Sequence, residues 1–316
     1  MTKVSVITPT YNREKLISKC IDSFIHQTLE DIELIIIDDG STDNTSKVIS
    51  EYKDSRIKYV KRENHGIGSS RNYGIDMSQG EYIVFVDSDD YLATDALEKM
   101  YNKAKEENLD IVVSDFYNFY LNGKKEEEKI KLFKNTSLIN NPNLLIDINL
   151  GPCNKLYKRE LFNDKTMRFP EDIKYEDMPL VSKLLKKANL IGHINEPLCY
   201  FLMDNVSETT VRDERIFDIF KSLDMTIDNF KEKEYENVMK ELVVSKLMNY
   251  TIQQRYQKDK SVRHKFIYEA FLYMKKVDSN YKNNVYFKKR NKLKAFIEKN
   301  KFIAKIYCDI YRIIKK

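Results

Sequence analysis

The sequence is poor in the residues that build metal–sulfur or disulfide frameworks, and it lacks long apolar runs. Its four cysteines are scattered, without the close spacing that is typical of zinc sites: Cys20, Cys153, Cys199 and Cys308. The four histidines are equally dispersed. We therefore predict no zinc centre, no disulfides and a reducing compartment. No apolar stretch approaches the roughly 18–20 residues that a membrane-spanning helix needs. The chain opens directly into an expected strand, so no signal peptide is predicted.

The composition is that of a chain able to build a large core and stay in solution. Of its 316 residues, 42% are hydrophobic and 33% are charged, which suits one large domain or two smaller ones. The net charge of +5 hides an asymmetry. Residues 255–316 hold 19 Lys and Arg against 5 Asp and Glu, a net charge of +14, whereas the remainder holds 35 against 44, a net charge of −9. The basic end predicts a contact with something anionic.

Short apolar segments alternate with helical patterns in the first part of the chain. Strands are expected at Val4–Thr8, Glu33–Ile37, Ile57–Val60 and Tyr82–Val86. This alternation predicts an α/β fold with a mainly parallel, doubly wound sheet. From about Glu208 onward, long amphipathic segments dominate and proline is absent. We therefore expect two domains, residues 1–207 and a helical, basic region of residues 208–316.

Later segments carry more specific expectations. Lys158–Phe162 has a helical pattern, and Asn122–Lys131 is charged enough for a hairpin tip or a surface loop. A strand is expected around Gly192–Asn195. Lys288–Ile314 is one long amphipathic segment, and its last part, Lys299–Lys316, has apolar residues at helical spacing with Lys and Arg between them. This last helix either docks on the core with its charged side in solvent or attaches to a membrane surface.

Three of the expected strands end in polar clusters: Pro9-Thr-Tyr11-Asn12, Asp38-Asp39-Gly40 and Asp87-Ser-Asp89-Asp90. Parallel strands bring such ends to one sheet edge, where open α/β sheets bind their ligands. Asp87 and Asp89 would share one face of a strictly extended chain. Hard oxygen ligands suit Mg²⁺ or Mn²⁺ together with substrate phosphates. Each Asp-rich turn alone is also typical of a helix cap, but three together favour a nucleotide-dependent enzyme.

Two further segments carry candidate chemistry. Gly66-x-Gly68-x-x-Arg71 enters a helix, whose free N–H groups and arginine suit an anion such as a diphosphate. The third glycine of a dinucleotide fingerprint is missing, and a turn with an exposed arginine is the alternative. Glu176 and Asp177 precede a helical run. They are either a cap with a first-turn acid or a site for a general base.

Taken together, these motifs resemble those of family 2 glycosyltransferases in order and spacing, over roughly residues 3–205. The resemblance rests on Val4–Asn12, Ile37–Asp43, Asn64–Gly74, Asp87–Asp90 and Tyr175–Asp177, with further matches at Asn154–Tyr157 and Arg168–Pro170. It is strongest to bacterial enzymes that build capsule, exopolysaccharide or teichoic-acid glycans. It implies the GT-A fold, a Rossmann-like nucleotide-sugar-binding domain, a UDP-sugar donor, Mn²⁺ or Mg²⁺, and inversion at the anomeric carbon.

The resemblance also implies roles for the residues that bind the nucleotide. Pro9 and Tyr11 would line the uracil pocket, and Asp39 would hydrogen-bond the base. Arg71 would lie near the diphosphate or the ribose. Asp87 would contact the ribose or the sugar.

On the same basis, Asp89 is the principal metal ligand and Asp177 the catalytic base, with Glu176 beside it or touching the acceptor. The expected partners are a nucleotide-sugar donor and a glycan or lipid-linked acceptor. A membrane surface at the basic helix and a homo-oligomer are further candidates, and no nucleic acid is expected. The expected location is the cytoplasm, at the inner face of the cell membrane where the basic helix attaches.

Two departures from the family pattern stand out. Many relatives have a tryptophan where this chain has Cys153, and this chain has no tryptophan at all. Relatives often carry a cation in the loop after Tyr200, where this chain has Met203; Ser207, Thr209 or Arg212 are the substitutes offered by the sequence. The alternatives to an active transferase are a catalytically inactive sugar-nucleotide-binding scaffold, a nucleotidyltransferase and a nucleic-acid-binding module. The last two lack their own motifs.

Overall fold

The computed structural model describes residues 1–203 and 214–314. The chain divides into two compact units, Met1–Glu208 and Thr209–Lys316. The first unit is a mixed sheet flanked by helices, and the second, over its described residues, is helical.

The sheet of the first unit is parallel on one side and mixed on the other. Its strands are β1 Val4–Thr10, β2 Ile32–Asp38, β3 Ile57–Lys61, β4 Tyr82–Phe85, β5 Tyr91–Leu92, β6 Ile111–Phe119, β7 Lys125–Glu128, β8 Lys155–Lys158 and β9 Ile191–Leu202. They lie in the order β3-β2-β1-β4-β8-β6-β9-β5, with β7 forming a hairpin with β6. The first four strands are parallel, β8 is antiparallel to both β4 and β6, and β9 is parallel to β6. The predicted parallel α/β sheet is therefore confirmed for the first four strands.

Apolar strands buried on both faces explain this architecture. Every residue of β1 and β2 is buried, as in parallel strands covered by helices on both sides. The helices of this unit are α1 Ile17–Ile25, α2 Thr45–Ser50, α3 Ile67–Met77, α4 Ala96–Glu106, α5 Leu144–Asp147 and α6 Asp177–Lys187. On one face, Val6 and Leu34 share a core with Phe24 of α1 and Met100 of α4.

Helix α3 covers the opposite face of the sheet at close range. A methyl group added at Gly74 would lie 2.4 Å from Cγ2 of Ile7 on β1, so only glycine allows this approach. The close contact fixes α3, and with it Arg71, above the carboxyl ends of the parallel strands.

The second unit contains the helices α7 Asp218–Asp228, α8 Glu236–Gln253, α9 Lys260–Val277, α10 Val285–Lys288, α11 Lys292–Lys299 and α12 Lys301–Ile314. Its buried apolar residues include Leu242, Leu247, Phe266 and Met274. Over the ranges that the structure covers, none of the helices has both the length and the apolar character needed to cross a bilayer.

Three expectations about secondary structure need correction. Lys158–Phe162 is not a helix: Lys158 ends β8, and Arg159–Phe162 is a single 3₁₀ turn. Pairing of Lys158 with Tyr82 of β4 outweighs a helical pattern of only five residues. Lys288–Ile314 is interrupted because the side chain of Asn300 accepts a hydrogen bond from the backbone N–H of Phe302 at 3.0 Å, which starts a new helix. The strand expected around Gly192–Asn195 extends over Ile191–Leu202.

Candidate active site

The turns after β1 and β2 are held together by Asn12. Its side-chain oxygen accepts hydrogen bonds from the backbone N–H groups of Thr42 at 2.8 Å and Asp43 at 3.4 Å. Its own backbone N–H donates to Oγ of Ser41 at 3.0 Å, and its φ of 51° is a conformation that asparagine tolerates well. Tyr11, immediately before it, is left 42% exposed. This turn therefore presents a free aromatic face at the end of β1.

The two aspartates after β2 differ in their surroundings. Asp38 is fully buried and accepts hydrogen bonds from the Ser41 backbone within its own turn and from the Tyr59 hydroxyl on β3. Asp39 instead reaches the loop before α3, where Oδ1 accepts from the N–H of His65 at 3.0 Å and Oδ2 from that of Gly66 at 2.8 Å. Asp39 therefore joins the second strand end to the start of α3.

The carboxylates after β4 lie on a turn rather than on an extended strand. The strand ends at Phe85, and the backbone N–H of Asp90 donates to the carbonyl of Asp87 at 2.9 Å. Asp87 accepts a hydrogen bond from Arg71, whereas Oδ2 of Asp89 faces Nε of Arg13 at 3.7 Å. The turn thus directs Asp87 and Asp89 toward different cations. The shared face expected of an extended chain is not formed.

These carboxylates fit a hard divalent cation. Among the described residues, Asp87, Asp90 and Cys153 have ligand atoms within 4.8 Å of one another, and Asp89, the expected principal ligand, is not in this group. Burial, and then repulsion from its acidic neighbours, raises the pKa of Asp90 well above its usual range, and burial followed by repulsion from Asp87 raises that of Asp89. A bound cation would relieve this repulsion. Burial raises the pKa of the Cys153 thiol well above its usual value, so this soft ligand stays protonated and contributes little to Mg²⁺ or Mn²⁺.

Arg71 lies at the centre of the site. Its Nη2 donates to Oδ1 of Asp87 at 2.8 Å, and its Nη1 donates to Oε1 of Glu176 at 2.6 Å and to Oδ1 of Asp177 at 2.7 Å. The side chain stacks its guanidinium 5.2 Å from the Phe169 ring centroid, and the residue is only 1% exposed. The alternative of an exposed turn arginine is therefore wrong. In this structure the guanidinium is bound by three carboxylates.

Glu176 and Asp177 stand at the start of α6, and the side chain of Glu176, at the N-cap position, makes no capping hydrogen bond. Tyr175, just before them, has a φ of 69°, a strained backbone that is frequent at functional sites. The Glu176 side chain is 8% exposed and the Asp177 side chain 32% exposed. Asp177 is thus the member of the pair that a ligand can reach.

Burial sets the protonation of this pair. It raises the pKa of Asp177, against the lowering effect of Arg71. Burial and the neighbouring Asp177 together raise the pKa of Glu176 to about 8. A single guanidinium is thus surrounded by more carboxylates than it can neutralise, and the group holds a proton easily.

The comparison with known proteins follows the same segments. The sequence matches the family model described as glycosyl transferase family 2 over residues 5–165. The chain belongs to this family. The resemblance drawn from its motifs is confirmed.

Individual relatives differ in how much of their length this family 2 chain covers. It is 31% identical to glycosyltransferase GlyA of Streptococcus pneumoniae serotype 4 over an alignment of 235 residues. This match covers 65% of this chain and 34% of GlyA. It is 30% identical to GlyG of the same organism over 263 residues, 77% of this chain and 83% of GlyG. The chain thus spans about a third of the first relative and most of the second.

The fold is shared with TarS of Staphylococcus aureus, whose name is poly(ribitol-phosphate) beta-N-acetylglucosaminyltransferase. The sequences are 27% identical over 260 residues, 79% of this chain and 44% of TarS. The crystal structure of TarS 1-349 in complex with UDP-GlcNAc superposes with a TM-score of 0.73 at 21% identity, covering 99% of this chain and 92% of that one. The expected GT-A fold is confirmed.

The family 2 motifs did not reveal two cations of the site. Arg13 directly follows the first motif, yet its approach to Asp89 depends on how two turns fold together. Lys155 is fully buried, and its ammonium donates to the Gly151 carbonyl at 2.8 Å and to the Asn154 side chain at 2.9 Å. Its place in the Asn154–Tyr157 block was the only available signal. Ser207, Thr209 and Arg212 lie outside the described residues, and Met203 is 47% exposed.

We expect Gly68→Ala to loosen the site. A methyl group at Gly68 would lie 2.4 Å from the carbonyl oxygen of Pro170, so the segment leading to Glu176 must move away from α3. Overpacking of this kind costs about 1–3 kcal/mol, which exceeds the gain from alanine in a helix. Urea unfolding measures the loss, with Gly151→Ala as the control because its nearest neighbour would be 3.6 Å away. Equal stability of the two variants would contradict the close packing.

We expect the charge cluster to make the free energy of unfolding depend on pH. The pKa of Glu176 is about 8 when folded and 4.5 in an ordinary carboxyl, so the folded chain binds the extra proton between these values. Its stabilising effect is complete below about pH 4.5 and is lost as the pH rises through about 8. Denaturation from pH 5 upward should therefore show wild type losing stability relative to Glu176→Gln. The exposed Glu63→Gln is the control, and parallel curves for wild type and Glu176→Gln would refute the assignment.

Proposed function

We propose that this protein is an inverting, metal-assisted glycosyltransferase. It moves a sugar from a nucleotide-sugar of the UDP class to a hydroxyl of a cell-surface glycan or lipid-linked acceptor. The observation that carries the proposal is the Arg71 cluster, which holds the reachable carboxylate of Asp177 opposite the acidic turn of Asp87–Asp90. The UDP-GlcNAc complex of TarS, which has the same fold, supports a UDP-sugar donor.

The donor nucleotide is proposed to bind at the ends of β1 and β2. The exposed ring of Tyr11, next to Pro9, offers a stacking face for uracil. Each carboxylate oxygen of Asp39 has one backbone partner and keeps a lone pair for a base N–H. Gly40 has a φ of 82°, and a side-chain carbon added there would lie 3.1 Å from the backbone nitrogen of Asn64. This turn therefore requires glycine. A contact of Arg71 with the diphosphate or ribose stays a prediction.

Mn²⁺ or Mg²⁺ is proposed to be held by Asp89 together with Asp87 or Asp90. When bound, the ion neutralises charge on the departing nucleoside diphosphate. A mannosyltransferase of this fold from Pyrobaculum calidifontis, with a TM-score of 0.59, has been crystallised with GDP-Man and Mn²⁺. Arg13, 3.7 Å from Asp89, would lie beside the same phosphates.

Asp177 is proposed to act as the general base. One of its oxygens is bound by Arg71, which fixes the carboxylate, and the side chain is 32% exposed, so an acceptor hydroxyl can approach it. As the acceptor oxygen attacks the anomeric carbon, its proton passes to Asp177 and the bond from that carbon to the phosphate oxygen breaks. Attack opposite the leaving group inverts the anomeric centre. Glu176, beside it and nearly buried, positions Arg71 and Asp177 rather than meeting the acceptor directly.

The acceptor class and the location complete the proposal. The poly(ribitol-phosphate) named for TarS suggests a polymer of the cell surface as the acceptor class. We place the protein in the cytoplasm, at the inner face of the membrane, where a lipid-linked acceptor would be met. The alternative, an inactive sugar-nucleotide-binding scaffold, predicts donor binding without transfer.

We expect Asp177→Asn to lower the rate of transfer by about 10²–10⁴-fold, the usual contribution of a general base. Donor affinity should change little because the amide keeps the shape of the side chain. Release of nucleoside diphosphate, in a screen of nucleotide-sugars with Mn²⁺, measures the transfer rate. Calorimetry measures the donor affinity. Asp164→Asn, at an exposed turn, is the control. Turnover at the wild-type rate in Asp177→Asn would remove the base assignment, and absence of transfer in wild type with intact donor binding would favour the scaffold.

We expect Asp89→Ala to weaken metal-dependent donor binding by about 10–100-fold, because the variant loses the carboxylate proposed as the principal metal ligand. Calorimetric titration of UDP with and without Mn²⁺ measures the effect. Asp31→Ala is the control, since that carboxylate is exposed and pairs with Lys3. A donor affinity that is indifferent both to EDTA and to Asp89→Ala would show that the metal is not held there.

A further inference from the structure

Helix α12 is docked on the second unit by one narrow side. Ala304 and Cys308 on this side are fully buried, and the Cys308 thiol donates to the Thr251 carbonyl at 3.6 Å. Asp309, beside them, accepts hydrogen bonds from Arg263 at 2.6 Å and His264 at 2.9 Å. These contacts fix the rotation of the helix about its axis.

The opposite side of α12 is apolar and points into solvent. We call it the apolar arc: Phe302, Ile306, Ile310, Ile313 and Ile314, which are 70%, 42%, 50%, 72% and 75% exposed. At 3.6 residues per turn these positions cover roughly 120° of the helix surface, and no charged residue falls within it. Most helices of water-soluble units turn such a stripe toward the core. Here the docking contacts turn it outward.

Helix α11 extends the same kind of surface. Its Leu293 and Phe296 are 70% and 61% exposed. Seven of the twenty large apolar side chains that are exposed in the described residues therefore fall between positions 293 and 314. Single exposed apolar residues are ordinary, but a cluster of this density marks an interaction surface.

The charges around the apolar arc are almost all positive. Residues 288–316 contain 11 Lys and Arg and only two acids, a net charge of +9. Both acids are engaged within the unit: Glu298 is 5% exposed and lies 3.8 Å from Arg290, and Asp309 is held by Arg263. The exposed Lys292 and Lys294 flank Leu293 on α11. Of the eleven cations, Lys289 is paired with Glu241 of α8 at 2.7 Å. The surface thus combines an apolar stripe with a rim that carries an excess of positive charge.

We propose that the apolar arc and the exposed residues of α11 form a docking surface for a bilayer that carries anionic lipids. The apolar side chains would enter the boundary between headgroups and acyl chains, and the lysines would meet the headgroups. A second copy of this chain is disfavoured as the occupant because two rims of the same charge would face each other. This inference rests on the proposed function, to which it adds a defined surface for membrane attachment. Vesicle binding can be measured without turnover, so the membrane surface and the transferase activity can each fail alone.

The test is co-sedimentation of the full chain with vesicles of phosphatidylcholine, with and without an equal part of phosphatidylglycerol. Wild type should bind the anionic vesicles and be released by salt. Ile310→Glu should lower the vesicle–water partition coefficient by at least about tenfold, since it places a charge in the stripe that would enter the bilayer. Met225→Glu is the matched control, because Met225 is a similarly exposed (42%) apolar residue of helix α7. It should bind like wild type.

A second variant tests the surface without changing any residue of α12. Lys292→Gln/Lys294→Gln removes two exposed charges from α11 and should lower binding by about fivefold per lysine. Circular dichroism confirms the fold of each variant. The proposal is overturned if wild type ignores anionic vesicles or if Ile310→Glu binds as well as Met225→Glu. It is also overturned if light scattering shows a wild-type dimer that Ile310→Glu converts to a monomer, because a second copy would then cover the arc.

Discussion

The site depends on one buried cation shared by three acids. Arg71 joins Asp87, 16 residues away, to Glu176 and Asp177, 105 and 106 residues away. Withdrawing a guanidinium from water is costly, and it is compensated only where the geometry supplies charged hydrogen bonds, as it does here. Loss of Arg71 would leave three neighbouring acids without the cation that they share. The positions of the acidic turn and of the start of α6 are therefore set by the same side chain.

Many of the polar residues in the motifs hold the scaffold rather than the ligand. Asn12 ties two turns together, Asp38 closes its own turn, and Asn72 exchanges two hydrogen bonds with the backbone of Phe169, at 2.9 and 2.8 Å. This last pair fastens α3 to the segment that leads to Glu176. What the scaffold leaves accessible is a small set with unused hydrogen-bonding or stacking capacity, chiefly Tyr11 and Asp177. Only side chains that are not needed to hold the turns together can contact a ligand.

The sequence predicts the parts of this arrangement that are local. Strand ends are readable because β-branched runs stop at Asp-rich turns, and parallel pairing then gathers them at one edge. The partners of Arg71 cannot be predicted from the sequence, since no local pattern indicates its hydrogen bond to a carboxylate more than a hundred residues away. The helix predicted from Lys158 was wrong for a related reason: Lys158 takes its conformation from pairing with Tyr82 of β4 rather than from its own propensity.

The orientation of α12 shows the same limit in another form. Periodicity reveals that its apolar residues share a face, but a helical pattern is identical whether that face is turned toward a core or away from it. Here the small residues Ala304 and Cys308 take the buried side, which leaves the large residues outside. A core-docked helix with a solvated charged face, the simpler expectation, would have reversed this assignment. Under the proposed membrane attachment, confinement to the surface would by itself raise the encounter rate with a lipid-linked acceptor.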